Sequence, residues 1–97
     1  MREYEVTVIF QPQLEEQPRT ELIEQVSGWL THGEEEADKP VANHWGERRL
    51  AYPIEDHNTG YYVLYEAKLN PDGIPDIEQN FKFQEDVLRY LIVRKEA

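Results

Sequence analysis

In Trp45-Gly46-Glu47-Arg48-Arg49-Leu50-Ala51-Tyr52-Pro53-Ile54, two adjacent arginines lie between aromatic residues in a strand-like run that carries a proline near its end. The strand is expected to run from about Val41 to Ile54, with Gly46 as a bulge or bend, since glycine inside a strand marks such a departure. Pro53 has no amide hydrogen to give to a ladder, which predicts a position at a sheet edge. Successive side chains of a strand point to opposite faces, so Arg48 and Arg49 are separated. One can reach solvent or an anion while the other lays its aliphatic stem across the core rim.

Outward from that run the pattern continues in both directions. Glu55-Asp56-His57-Asn58-Thr59-Gly60 predicts a turn, and Tyr61 to Leu69 a returning strand that completes a hairpin. Upstream, Tyr4, Val6, Val8 and Phe10 recur with period two and share one face, the mark of a half-buried strand. Gln11-Pro12-Gln13 ends it. Between about Glu15 and His32, Leu22, Ile23, Val26, Trp29 and Leu30 recur at helical spacing. Pro18 fits only the first turn of that helix. Gly28 costs its interior about 1 kcal/mol, and Gly33 is expected to stop it. Glu34-Glu35-Glu36-Ala37-Asp38 reads as a charged connector or an exposed strand start. Asn70-Pro71-Asp72-Gly73 opens a second helix in which Ile74, Ile77 and Phe81 share one side. Val87 to Arg94 is the fourth strand.

The order is β-α-β-β-α-β, the split ferredoxin-like arrangement of the α+β class: a four-stranded antiparallel sheet with two helices on one face. One domain is expected over residues 1–97. Right-handed crossovers put the first and third strands at the centre and the second at an edge, which agrees independently with Pro53. If Tyr4, Val6, Val8 and Phe10 face the helices with Tyr61, Val63, Tyr65, Tyr90 and Ile92, the open face carries Ile9, Tyr62, Leu64, Leu91 and Val93. An apolar set of that kind on neighbouring strands predicts a covering partner or self-association of isolated copies.

Charge constrains what that partner can be. The chain holds 20 acidic and 10 basic residues, a formal charge of −10. Residues 1–38 hold ten acids against Arg2 and Arg19, so most of the excess lies there, and any anion-binding surface must come from the later residues. An excess of this size keeps a protein soluble in concentrated salt, where self-repulsion is screened, and a halophilic source is one hypothesis it raises. The chain has no cysteine, which excludes disulfides and thiolate metal sites and is compatible with a reducing cytoplasm. No run approaches the roughly 18 apolar residues of a membrane helix, and no signal-peptide pattern opens the chain. No membrane association is expected.

Catalytic chemistry has few candidates. His32, His44 and His57 fall at a helix end, in a strand and in a turn, at no metal-binding spacing. Ser27 is the only serine, and its place mid-helix gives it no nucleophilic context. Glu55 and Asp56 on an exposed turn read as solvated. No glycine-rich phosphate loop occurs, so neither an enzyme nor a cofactor is expected. Gly60-Tyr61-Tyr62-Val63-Leu64-Tyr65 superficially matches the RNA recognition module. Alternation sends Tyr61 and Tyr62 to opposite faces, however, whereas a stacking platform needs its aromatics on one.

The segment from Trp45 to Ile54 resembles the signature of the bacterial small-subunit ribosomal protein six family. Met1-Arg2-Glu3-Tyr4-Glu5 is similar to that family's opening and Gly60-Tyr61-Tyr62 to its third strand. Phe81-Lys82-Phe83, Val87-Leu88-Arg89 and Arg94 are similar to its closing part. The resemblance covers essentially the whole chain in order. It implies the same ferredoxin-like fold and a structural role in the cytoplasmic ribosome. It further implies binding to small-subunit (16S) ribosomal RNA, cooperatively with ribosomal protein eighteen, during assembly of the platform. An acidic chain paired with a basic partner can present the positive charge that RNA requires. Carried over by position, Arg2, Trp45, Arg48, Arg49, Arg89 and Arg94 become the candidate contacts to RNA or partner, with Ile9, Tyr62, Leu64, Leu91 and Val93 as the partner patch. Glu47 and Glu55 depart from the family's preference for basic or small residues there. The chain ends at Ala97, where many members carry a tail.

A different class remains open from the residues alone. The same topology serves small homodimeric ligand-binding domains and cofactor-free oxygenases, which pair through their apolar sheet faces.

Overall fold

Residue alternation on the first strand places one apolar row under two helices, and the rest of the chain is arranged around that row. The computed structural model describes residues 1–33 and 38–95. Strand β1 (Arg2–Phe10) leads to helix α1 (Glu16–Trp29), then to β2 (Val41–Ile54) and β3 (His57–Leu69); a 3-10 turn (Pro71–Gly73) opens α2 (Ile74–Phe83), and β4 (Val87–Arg94) follows. The strands form one sheet in the order β2-β3-β1-β4, and every pairing is antiparallel. Pro53 therefore lies on an edge strand, as its missing donor requires.

Register fixes the faces. Val6 lies opposite Tyr65 and Ile92, and Val8 opposite Val63 and Tyr90. These side chains join Tyr4, Phe10, Ala67 and Leu69 in a core with Leu22, Ile23, Val26 and Leu30 of α1 and Ile77 and Phe81 of α2. Both helices thus cover the same sheet face. Trp29 meets Phe81 edge-on at 5.4 Å, and Phe81 stacks on Tyr90 at 4.9 Å, so aromatic contacts tie α1 to α2 and α2 to β4. No polar side chain is buried among the described residues, although the Tyr65 hydroxyl reaches out of the core to the main chain of α1.

Local chemistry sets the ends of the elements. Pro18 stands in the first turn of α1, where its missing N–H would be unpaired in any case. The helix stops at Trp29 with Leu30 as its cap, earlier than Gly33. Asn70 caps the 3-10 turn by accepting from the Asp72 amide at 3.0 Å. Of the expected acidic connector, residues 34–37 lie outside the described residues.

The hairpin departs from expectation in two places. The turn between β2 and β3 is two residues long, not six, because Glu55 and Asp56 both take positive φ, 47° and 68°. Two successive residues in that region match the twist of the flanking strands. His57 is therefore already in β3 and pairs with Ile54. At the other end Gly46, at φ 81°, follows a register shift that leaves Trp45 unpaired between His44 and Gly46. This is the expected bulge.

Candidate functional site

The open face of the sheet is built from rows of side chains across β3, β1 and β4. Lys68, Glu3 and Lys95 mark one end, followed by Glu66, Glu5 and Val93. Leu64, Thr7 and Leu91 form the middle, and Tyr62, Ile9 and Arg89 the far end. The near end is internally neutralised. Lys95 Nζ donates to Glu66 at 2.9 Å and Asn43 Nδ2 to the same carboxylate at 3.3 Å. The Lys95 hydrogen bond, then that from Asn43, hold Glu66 below the ordinary carboxylate range, and Glu66 in turn raises Lys95.

At the far end the β2–β3 hairpin bends over the sheet. Arg49 pairs with Thr59 and the next pairing is Ile54 with His57, so residues 50–53 stand against Asn58 alone. The surplus chain bows out as an arm. Gly60 gives it a seat: a Cβ there would collide with Ile9 Cγ2 and lie 3.5 Å from Leu50 Cδ2. Leu50 is buried as a result, and Ile9 is only 8% exposed. The arm then carries Tyr52 across β3 and β1 to Arg89 on β4. The Arg89 Nη1 donates to the Tyr52 hydroxyl, with the guanidinium carbon 5.9 Å from the ring centroid.

Ile9 corrects the expected exposed patch. It lies on the open face, but the arm covers it, so alternation gave the right side and the wrong accessibility. Tyr62 and Leu64 are half-buried. Leu91 and Val93 remain 58% and 46% exposed and carry the apolar surface.

The candidate basic residues fall into two groups. Arg48 is opposite Gly60 on the open face, its guanidinium carbon 5.7 Å from the exposed Trp45 ring. Arg89 stands at the same end. Arg49 points to the opposite side, the one it shares with Glu47 opposite Tyr61. Glu47 therefore does not lie beside Arg48 on the open face. Arg94 is opposite Tyr4, and Arg2, two residues before Tyr4, starts β1; both mark the other end of the sheet on the helix-bearing side. Counted along β1, the two groups are separated by roughly 20 Å. The six residues are exposed, but they do not form one patch.

Tyr52 is the neighbour that residue patterns missed. Its contact spans 37 positions in sequence, and no local periodicity encodes such a meeting. The signal available was Gly60, since glycine within a strand marks close approach of another segment. Arg19, by contrast, is committed to the fold: its guanidinium lies 4.2 Å above the Tyr61 ring, whose hydroxyl is 3.2 Å from His44 Nδ1. Among the described residues no group of three potential ligands could hold a metal ion, and no helix is long and apolar enough to cross a membrane.

Comparison with known proteins matches this description. The family model described as ribosomal protein S6 covers residues 3–94. The small ribosomal subunit protein bS6 of Desulforudis audaxviator is 35% identical over 96 residues, 99% of this chain and 100% of that protein. The crystal structure of 30S ribosomal protein S6 from Thermotoga maritima superposes with a TM-score of 0.84 at 25% identity, over 97% of this chain and 87% of that one. Those relatives are structural ribosomal proteins, which sets aside the oxygenase alternative. The chain belongs to the ribosomal protein S6 family and is a structural protein of the small ribosomal subunit, not an enzyme.

Proposed function

We propose that this protein binds small-subunit ribosomal RNA together with ribosomal protein eighteen as the platform assembles. The observation that carries this reading is the placement of Arg48 and Arg89 at one end of an open sheet face in a chain of charge −10. Two exposed arginines are too few to hold RNA against that field, because affinity grows with the number of phosphates neutralised. A basic partner supplies the missing charge and is itself attracted by the acidic chain.

Leu91 and Val93, with half-buried Leu64 across Thr7 from Leu91, offer such a partner an apolar contact next to Arg89. Arg49 projects from the helix-bearing side, and Arg2 and Arg94 from the same side at the near end, where they suit RNA strands that pass around the edge of the sheet. All of these contacts position the protein and do not read sequence. Binding of a central-domain ribosomal RNA transcript, measured with and without ribosomal protein eighteen, tests the reading. Affinity should rise strongly when the partner is added; equal affinity in both conditions refutes the cooperative role.

A further inference from the structure

We infer that Tyr52 is a positioning residue for Arg89, and that the pair receives a phosphodiester oxygen of an RNA strand crossing the far end of the open face. This rests on the RNA-binding reading above and names one of its sites.

The geometry begins with an expenditure of chain that the sheet alone does not need. Residues 50–53 leave the ladder against a single residue of β3, and Pro53 removes one donor that the bowed arm would otherwise leave unpaired. Leu50 anchors the arm against Gly60, beside the Ile9 methyl group that fills the space a side chain there would take. What the arm delivers is a phenol against the one arginine of this face on β4. Arginine carries five N–H donors in a rigid plane. Tyr52 engages one from Nη1, which leaves further donors of the same fork for an incoming oxygen.

A free surface arginine samples many rotamers and loses that freedom on binding, which weakens the complex. Arg89 is held beforehand by its hydrogen bond to the Tyr52 hydroxyl, which meets the guanidinium end-on. The Tyr52 oxygen is a neutral acceptor, so it orients the guanidinium without cancelling its charge. A carboxylate in the same place would do both. The acids of the open face, Glu3, Glu5 and Glu66, lie toward the other end of the sheet, so none of them shares the row of Arg89.

Binding of the full chain and ribosomal protein eighteen to a central-domain transcript, over a series of salt concentrations, tests the assignment. Arg89→Ala should weaken binding about tenfold and reduce the salt slope by about one phosphate contact. Tyr52→Phe should weaken it about threefold with the slope unchanged, because the charge remains and only its orientation is lost. The double variant should bind no more weakly than Arg89→Ala alone, since Tyr52 acts through Arg89. Wild-type binding by Tyr52→Phe, or full additivity in the double variant, overturns the positioning role while leaving the RNA reading intact. Wild-type binding by Arg89→Ala removes Arg89 from the RNA contacts altogether. Equal weakening of binding to ribosomal protein eighteen without RNA would assign the pair to the protein partner and overturn the phosphate site.

Discussion

The Tyr65 hydroxyl donates to the Ile23 carbonyl at 2.9 Å, joining the centre of the buried sheet face to helix α1. Burial pushes the phenol above its ordinary titration range, with the Ser27 side chain pulling weakly in the other direction. Tyr65→Phe keeps the ring and removes the bond, so it should cost about 1 kcal/mol, read as a lower urea midpoint at unchanged slope.

The same group shapes stability at high pH. Its folded pKa lies above the unfolded value near 10. The stabilisation is therefore complete below about pH 10 and is lost as pH rises toward the folded value, because the unfolded chain releases the proton first. Thermal melts of wild type should fall more steeply above pH 10 than those of Tyr65→Phe. Parallel curves would show that Tyr65 does not carry the alkaline transition.

Gly60→Ala tests the seat of the arm. Its methyl group meets Ile9, and overpacking of this kind costs about 1–3 kcal/mol. The arm should also loosen, with faster amide exchange at Leu50 and Tyr52 than in wild type. Gly46→Ala, placed at φ 81° with open space around its Cβ, should cost roughly 1 kcal/mol through backbone strain alone and leave exchange in the arm unchanged.

Glu66 and Lys95 form a pair whose effect is on titration more than on folding. Both are exposed, so solvent screens the interaction. Glu66 contributes above its unfolded pKa and loses that contribution as pH falls through its lowered folded value. Lys95 contributes below its unfolded pKa and loses it as pH rises through its raised folded value. Lys95→Gln should return the Glu66 midpoint, followed by carboxyl NMR, toward the ordinary carboxylate range while leaving the melting temperature almost unmoved.

Salt should act on the free protein and on its complex with opposite signs. Screening relieves repulsion in a chain of charge −10, so the melting temperature should rise as sodium chloride is added. Affinity for RNA should fall over the same range as phosphate contacts lose their counterion advantage. A melting temperature that falls with salt would count against self-repulsion and against the halophilic hypothesis.

Much of the fold was legible because single residues carried strong local constraints. Pro53 placed β2 at an edge, Gly46 marked the bulge, and alternation sorted Val6, Val8, Val63 and Tyr65 to the helix side. The two-residue turn was not legible, because Glu55 and Asp56 adopt a conformation that glycine or asparagine usually signals. The arm was not legible either. Its bow is a register event between 49 and 54 on one strand and 57 and 59 on the other, and register depends on which distant side chains meet. Arg48 and Arg89 were visible as candidates, but their common end of the sheet depends on the register of β2 on β3 and of β4 on β1.

The most direct test of the central claim is a mobility-shift titration of a central-domain ribosomal RNA transcript with this protein, in the absence and presence of ribosomal protein eighteen. The isolated chain should bind weakly and gain at least about a hundredfold with the partner, matching a coupling free energy of about 3 kcal/mol. Tight binding by the isolated chain, unchanged when the partner is added, would contradict it.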